Sequence, residues 1–175
     1  MAASVDAVGF VFAPSKRRVT PQRALELTRG VPATISRVAV MQHPEQAMLD
    51  EVHAVFRPDV LQIDIEDIET LRMPAGMYVT PVVRAGRQME AVPTRLLFEG
   101  PVSGTGQTAD WSEAARLARC AQLILAGGLN PTNVADAIRI VQPFGVDVSS
   151  GVERAPGSKD PKLIAEFVKA ARSER

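Results

Sequence analysis

Two carboxylates in this 175-residue sequence lie in or beside short apolar runs. Glu99 directly follows residues 96–98, and Asp147 lies between Val146 and Val148. A carboxylate in such a place is unfavourable unless it is hydrogen-bonded, paired with a cation or used in a reaction. General acid–base catalysis is therefore a chemistry that Glu99 and Asp147 could perform.

Two turns of small residues suggest an anion site. Gly127-Gly128 follows the apolar residues 123–126, and Ser149-Ser150-Gly151 follows residues 146–148. Small residues let an anion approach the backbone N–H groups closely. Barrel enzymes often hold phosphate in the loops after their last two strands. If these turns occupy those places, they predict a phosphate site.

Two further segments could meet an anion, with weaker support. Residues 103–108 are glycine-rich through Gly104 and Gly106, which is typical of an anion-binding loop or a mobile lid. Arg17 and Arg18 follow the first apolar run and either meet an anion or belong to a solvated turn.

The remaining candidates favour structural roles. His43 precedes Pro44 and is expected to end a strand or cap a helix, and His53 falls in an amphipathic stretch. Cys120 is the sole cysteine, which excludes an internal disulfide and a cysteine-built metal site. We expect it to be a small thiol in the core.

Seven short apolar runs predict buried strands, separated by amphipathic stretches with helical spacing. The runs are residues 7–12, 38–41, 60–63, 77–83, 96–98, 123–126 and 146–148. Strands that are apolar on both faces and alternate with helices indicate a parallel sheet covered by helices.

Capping residues predict where helices begin. Thr20-Pro21, Asn130-Pro131 and Asp160-Pro161 each place a capping side chain before a proline that suits the first helical turn. Asp110 and Glu113 have the spacing of a capping box.

Composition narrows the class of protein. The chain is 46% hydrophobic and carries 20 basic and 20 acidic residues, so its formal net charge is zero. This balance argues against nucleic-acid binding, and no apolar run approaches the ~20 residues of a membrane span. The expectation is one cytoplasmic domain over residues 1–175.

The strand count leaves two parallel architectures open, an open doubly wound sheet and a closed (β/α)8 barrel. No Gly-x-Gly-x-x-Gly motif follows the first strand, which weakens the dinucleotide-binding alternative. A barrel needs eight strands and usually ~200 residues or more, so a barrel of this length would be incomplete.

Three segments together resemble the phosphoribosylanthranilate isomerase family of tryptophan biosynthesis. They read GFVFAPSKRRVTPQRA, SGTGQTADW and LILAGGLNPTNVADAIRIVQPFGVDVSSGVE. The resemblance implies a (β/α)8 barrel without cofactor or metal. It also implies an Amadori rearrangement of a phosphorylated ribose–anthranilate substrate, with neither nucleic acid nor membrane as partner.

The resemblance also assigns roles to individual residues. It makes Glu99, where the family has an aspartate, the general acid, and Asp147 a carboxylate that assists the rearrangement. It places the anthranilate carboxylate on Arg17 and the substrate phosphate on Gly127, Gly128, Ser150 and Gly151, with Gly104 and Gly106 in the lid.

The sequence departs from the family pattern in three places. The family's base is a cysteine on a first strand that reads Lys-Ile-Cys-Gly, and this chain has no matching strand. Asp64 stands where the family usually has a histidine, and residues 84–95 leave little room for a helix. We therefore expect an incomplete barrel that lacks the first strand and most of the first helix.

These departures bear on activity and assembly. Weak or no isomerase activity is expected of the chain as given, and the alternative function is a non-catalytic paralogue that binds phosphorylated sugars. Unpaired sheet edges favour association, so a homodimer is one expected assembly.

Overall fold

The computed structural model describes residues 5–101 and 110–174. They form two compact units, the first spanning residues 5–81 and the second beginning at residue 82. The expectation of a single domain over residues 1–175 stays a prediction.

Every predicted apolar run forms a strand, with boundaries shifted by one or two residues. The strands are β1 (Ala7–Val11), β2 (Ser36–Val40), β3 (Val60–Asp64), β4 (Tyr78–Arg84), β5 (Arg95–Glu99), β6 (Gln122–Leu125) and β7 (Gly145–Val146). Their order in the sheet follows the chain. A separate antiparallel hairpin consists of β8 (Glu153–Ala155) and β9 (Ser158–Lys159).

The first unit contains β1, β2 and β3, which pair in parallel. Its helices are α1 (Pro21–Leu27) and α2 (Gln46–Val55). The core of this unit centres on Phe56, which is fully buried and packs its ring against Phe10 and Phe12, with centroids 5.2 and 5.5 Å away.

In the second unit β4, β5, β6 and β7 pair in parallel in that order. Its helices are α3 (Trp111–Ala118), α4 (Val134–Val141) and α5 (Pro161–Arg172). Strands β5 and β6 supply fully buried apolar side chains, among them Leu96, Phe98 and Leu123. Since parallel strands end at the same edge of a sheet, the residues that follow these strands share one side of the unit.

Capping explains most of the helix starts. Thr20 and Asp160 accept hydrogen bonds from the backbone N–H groups of Arg23 and Lys162, at 3.1 and 2.8 Å, so these two predicted starts are confirmed. Asp110 caps α3 as predicted. The carboxylate of Glu113 accepts a hydrogen bond from Gly86 N–H at 3.1 Å.

The helix start predicted at Asn130-Pro131 is wrong, since α4 begins at Val134. Asn130 instead organises a turn, because its Oδ1 accepts hydrogen bonds from the N–H and hydroxyl of Thr132 at 2.9 and 2.7 Å. Asn133 completes this turn, because its Oδ1 accepts a hydrogen bond from Asn130 N–H at 2.8 Å. Asparagine favours such local hydrogen bonds over helix.

α-Helices are missing between β3 and β5. Only a short 310 turn, Ile65–Asp67, lies between β3 and β4, and β4 connects to β5 without a helix. The prediction of little room for a helix in residues 84–95 is thereby confirmed.

Cys120 is exposed at the end of α3, so its expected place in the core is wrong. No helix among the described residues is long and apolar enough to cross a membrane.

Candidate active site

The two small-residue turns of the second unit are in direct contact. We call residues 127–130 the glycine turn and residues 149–151 the serine turn; they follow β6 and β7. A Cβ atom built on Gly151 would lie 1.9 Å from the carbonyl oxygen of Leu129 and 3.0 Å from the Cα of Asn130. Only glycine permits so close an approach. The two turns predicted to share an anion therefore meet in space.

The glycine turn depends on left-handed backbone and on one amide side chain. Gly127 and Gly128 have φ angles of 87° and 67°. The carbonyl oxygen of Gly128 accepts a hydrogen bond from Asn133 Nδ2 at 3.0 Å. In a trans peptide the carbonyl and the following N–H point in opposite directions, so the N–H of Leu129 is directed away from Asn133.

Asp147 lies directly after β7 and before the serine turn, and its N–H donates to the Leu125 carbonyl at 2.8 Å. Desolvation by the surrounding protein raises the pKa of its carboxyl above the usual range. The positive charge of Lys159 acts in the opposite direction. A carboxyl with a raised pKa at the end of a strand is a candidate for proton exchange.

Glu99 ends β5 beside Arg84, which ends β4 at the paired register position. Arg84 Nη2 lies 3.2 Å from Glu99 Oε1, and the two side chains are only 20% and 14% exposed. A largely enclosed ion pair of this kind restricts where the carboxylate can point. Arg84 ends an apolar run just as Glu99 does, and that shared signal could have identified it from the sequence.

Arg17 belongs to the first unit, in the turn after β1. Its N–H donates to Ser15 Oγ at 3.1 Å, and the neighbouring Arg18 N–H donates to the Ser15 carbonyl at the same distance. Ser15 thus shapes the turn that carries Arg17, which is partly buried. Gly104 and Gly106 lie outside the described residues.

Sequence reasoning missed a charged cluster in the first unit. His43 follows β2 with a φ of 45°, and its Nδ1 lies 2.9 Å from Asp67 Oδ1. Its Nε2 lies 3.6 Å from the buried Asp64 Oδ2. The hydrogen bond with Asp67 is the main reason why the pKa of His43 is raised, against the effect of burial.

This cluster offers ligand atoms of His43, Asp64 and Asp67 within 4.8 Å of one another. The two carboxylates face different nitrogens of one ring, however, and a protonated imidazole pairs electrostatically with both, hydrogen-bonded to Asp67 and 3.6 Å from Asp64. A cavity of about 190 Å³ lies in the same unit against His43, Arg18 and the apolar side chains of Phe12 and Met41. Of the cluster, His43 lines this small cavity.

Parallel strands that alternate with helices, followed at their carboxyl ends by candidate carboxylates and turns of small residues, are typical of an α/β enzyme of the barrel type. A sequence profile of N-(5'-phosphoribosyl)anthranilate (PRA) isomerase matches residues 1–170. The chain belongs to this isomerase family.

Individual relatives match over nearly the whole chain. The N-(5'-phosphoribosyl)anthranilate isomerase of Paramagnetospirillum magneticum is 40% identical over 190 residues, which cover 97% of this chain and 88% of the relative. A structure of monomers of the dimeric phosphoribosylanthranilate isomerase from Thermotoga maritima has a TM-score of 0.79 at 31% identity and covers 98% of this chain and 89% of its own.

A further isomerase structure was determined in complex with reduced 1-(o-carboxyphenylamino)-1-deoxyribulose 5-phosphate. It has a TM-score of 0.78 at 31% identity and covers 98% of this chain and 89% of its own. These likenesses confirm the expected fold, an incomplete (β/α)8 barrel whose described part contains seven sheet strands. They also confirm that the chain belongs to a family of enzymes.

Proposed function

We propose that this protein converts N-(5'-phosphoribosyl)anthranilate to 1-(2-carboxyphenylamino)-1-deoxyribulose 5-phosphate in tryptophan biosynthesis. The observation that supports this most is the contact between the glycine turn and the serine turn. Gly151 packs on Leu129 and Asn130 there, and we propose that Gly127, Gly128, Ser150 and Gly151 bind the substrate phosphate, because backbone N–H groups in such turns suit a phosphate dianion. The relative in complex with a phosphorylated product analogue supports the same ligand class.

Glu99 is proposed as the general acid that protonates the ribose ring oxygen and so opens the ring. The ion pair with Arg84 holds its carboxyl at the end of β5. Because the rate of proton transfer depends on position within about an ångström, this restraint compensates for the freedom of the longer side chain that replaces the family's aspartate.

Asp147 is proposed to assist the proton transfer that follows ring opening, in which a proton leaves C2 of the Schiff base and the enolamine forms. Desolvation raises the pKa of its carboxyl, so Asp147 takes up a proton more readily than an ordinary aspartate does. The positive charge of Lys159 opposes this rise in the pKa.

Arg17 is proposed to bind the anthranilate carboxylate, because a guanidinium can donate two parallel hydrogen bonds to it. Replacement of Arg17 by alanine should weaken binding of the reduced product analogue and leave binding of inorganic phosphate unchanged. Equal binding of the analogue by Arg17→Ala and wild type, measured calorimetrically, would remove Arg17 from the proposed site.

Loss of the substrate's fluorescence measures the proposed reaction directly. We expect turnover above the uncatalysed rate, and a fall of about 10²-fold or more in Glu99→Gln, in line with the loss of a general acid. Glu90→Gln is the matched control, because Glu90 is an exposed residue of the segment between β4 and β5. An unchanged rate in Glu99→Gln would contradict the role of Glu99.

The same assay distinguishes the alternative of a non-catalytic phosphate-sugar-binding paralogue. That alternative requires binding of the product analogue without turnover. The relatives described above are phosphoribosylanthranilate isomerases. Absence of turnover in a chain that binds the analogue would contradict the proposed activity.

A homodimer is the proposed assembly, supported by the Thermotoga maritima relative that is described as dimeric. Sedimentation equilibrium tests it, and a mass near the 18.8 kDa of one chain at micromolar concentration would contradict it. The cytoplasmic location stays a prediction.

A further inference from the structure

Lys159 contacts the serine turn from the β8–β9 hairpin, at the end of β9. Its Nζ lies 2.8 Å from the carbonyl oxygen and 3.3 Å from the hydroxyl oxygen of Ser149. A third neighbour is Glu153 Oε1, at 2.9 Å. An ammonium group has three N–H donors, so these three oxygens use its hydrogen-bonding capacity. Lys159 therefore binds the turn itself and has no donor left over for a ligand.

The hydrogen bond to the Ser149 carbonyl fixes the orientation of the next peptide N–H. In a trans peptide the carbonyl and the N–H of the following residue point in opposite directions. With the carbonyl of Ser149 directed at Lys159, the N–H of Ser150 is directed away from the hairpin. Asn133 does the same in the glycine turn, where it holds the carbonyl of Gly128.

The charge of Lys159 is as important as its hydrogen bonds. Glu153 is only 4% exposed, and such a carboxylate needs a partner to be tolerated. The same ammonium group is close enough to Asp147 to lower the pKa of that carboxyl against the effect of desolvation. One side chain thus acts on the backbone of the serine turn and on a carboxyl of the proposed reaction.

We propose that Lys159 is a positioning residue, which orients the serine turn for a phosphoryl group. This inference rests on the proposed function, because it takes the serine turn as part of the phosphate site. Lys159 acts through Ser149 and does not touch the substrate.

The test is a titration of the ¹⁵N-labelled chain with inorganic phosphate, followed through the amide signals of both turns. We expect Lys159→Met to weaken phosphate binding about tenfold, which corresponds to about 1.4 kcal/mol. Lys159→Arg keeps the charge and should stay within about threefold of wild type, or about 0.65 kcal/mol. Lys162→Met is the matched control, because Lys162 is 83% exposed on α5, and it should bind as wild type does.

A second measurement separates positioning from mere stabilisation of the fold. The pKa of Asp147, followed by carboxyl ¹³C NMR, should rise further in Lys159→Met and stay near its wild-type value in Lys159→Arg. Either an unchanged pKa of Asp147 or unchanged phosphate binding in Lys159→Met would overturn the proposal.

The buried Glu153 needs its own control, because Lys159→Met leaves its charge without this partner. The double variant Lys159→Met/Glu153→Gln removes that charge, and circular dichroism checks that it folds. We expect phosphate binding in the double variant to stay weak. Recovery of wild-type affinity would show that the buried charge alone caused the loss, and would overturn the proposal.

Wild-type behaviour separates this proposal from the proposed function. If phosphate shifts no amide signal of either turn in the wild-type chain, the phosphate site itself is wrong. If wild type binds phosphate at these turns and Lys159→Met binds it equally well, the positioning role alone fails.

Discussion

Gly151 packs so closely on Leu129 that a Cβ atom at position 151 would lie 1.9 Å from the Leu129 carbonyl oxygen. The neighbouring atom is backbone, which cannot rotate away as a side chain does. This relationship joins the glycine turn to the serine turn, and the proposed phosphate site depends on it.

Gly151→Ala should therefore lower the free energy of unfolding by about 3 kcal/mol, the upper part of the range for overpacked sites. Gly145→Ala is the control, because a Cβ there meets only a side-chain atom of Ile124 at 3.9 Å. Urea unfolding measures both variants. Equal stabilities of the two would show that the turns separate easily.

Phosphate binding should be lost in Gly128→Asp. The new carboxylate repels an anion, while aspartate tolerates the left-handed conformation of this position better than most residues. In wild type, phosphate at about 100 times its dissociation constant should stabilise the fold by roughly 2.7 kcal/mol, seen as a higher Tm.

Gly30→Asp is the matched control for that variant, since Gly30 has a φ of 84° with no atom near its would-be Cβ. It introduces the same charge and the same backbone strain in the first unit. It should keep the full rise in Tm with phosphate. A rise that survives in Gly128→Asp would place the ligand elsewhere.

The ion pair of Arg84 with Glu99 predicts a change in the pH–rate profile. A nearby guanidinium favours the ionised carboxylate, whereas the proposed ring opening needs the protonated acid. Arg84→Met should move the alkaline limb of the profile upward, and the rate at the optimum should fall about tenfold as Glu99 loses its restraint. If the alkaline limb of the profile does not move, Glu99 is not the group whose titration produces that limb.

Most of the fold follows from local pattern, which is why all seven strands lie where apolar runs predict them. A buried parallel strand needs apolar residues on both faces, and that demand is visible in any single run. The start of α4 does not follow from local pattern, because Asn130 can either cap a helix or build a turn. The competing hydrogen bonds to Thr132 and from Asn133 decide between the two.

The site residues likewise differ in whether a local sequence pattern reveals them. Glu99 and Asp147 are recognisable because a carboxylate beside an apolar run is conspicuous. Lys159 and His43 act through residues that are 10 and 24 positions away in the chain, and no local pattern signals such pairs. Only the folded chain brings these partners together.

The charged cluster of the first unit predicts a pH effect on stability. The pKa of His43 is raised above its ordinary 6.5, so the pairing with Asp67 stabilises the fold fully below pH 6.5 and loses this effect as the pH rises through the higher folded value. The side chain of His43 is 57% exposed, so the contribution should stay within about 1 kcal/mol.

Imidazole proton NMR tests this assignment. In Asp67→Asn the pKa of His43 should fall towards 6.5, and the stability lost relative to wild type should be larger at pH 5.5 than at pH 9. The signal of His53, on α2, serves as an internal control. An unchanged His43 titration would show that Asp67 does not stabilise the protonated imidazole.

A crystal structure of this chain with reduced 1-(o-carboxyphenylamino)-1-deoxyribulose 5-phosphate tests the central claim most directly. We predict that the phosphate oxygens accept hydrogen bonds from backbone N–H groups of both residues 127–130 and residues 149–151. A phosphate bound elsewhere, or held by only one of these two segments, would contradict it.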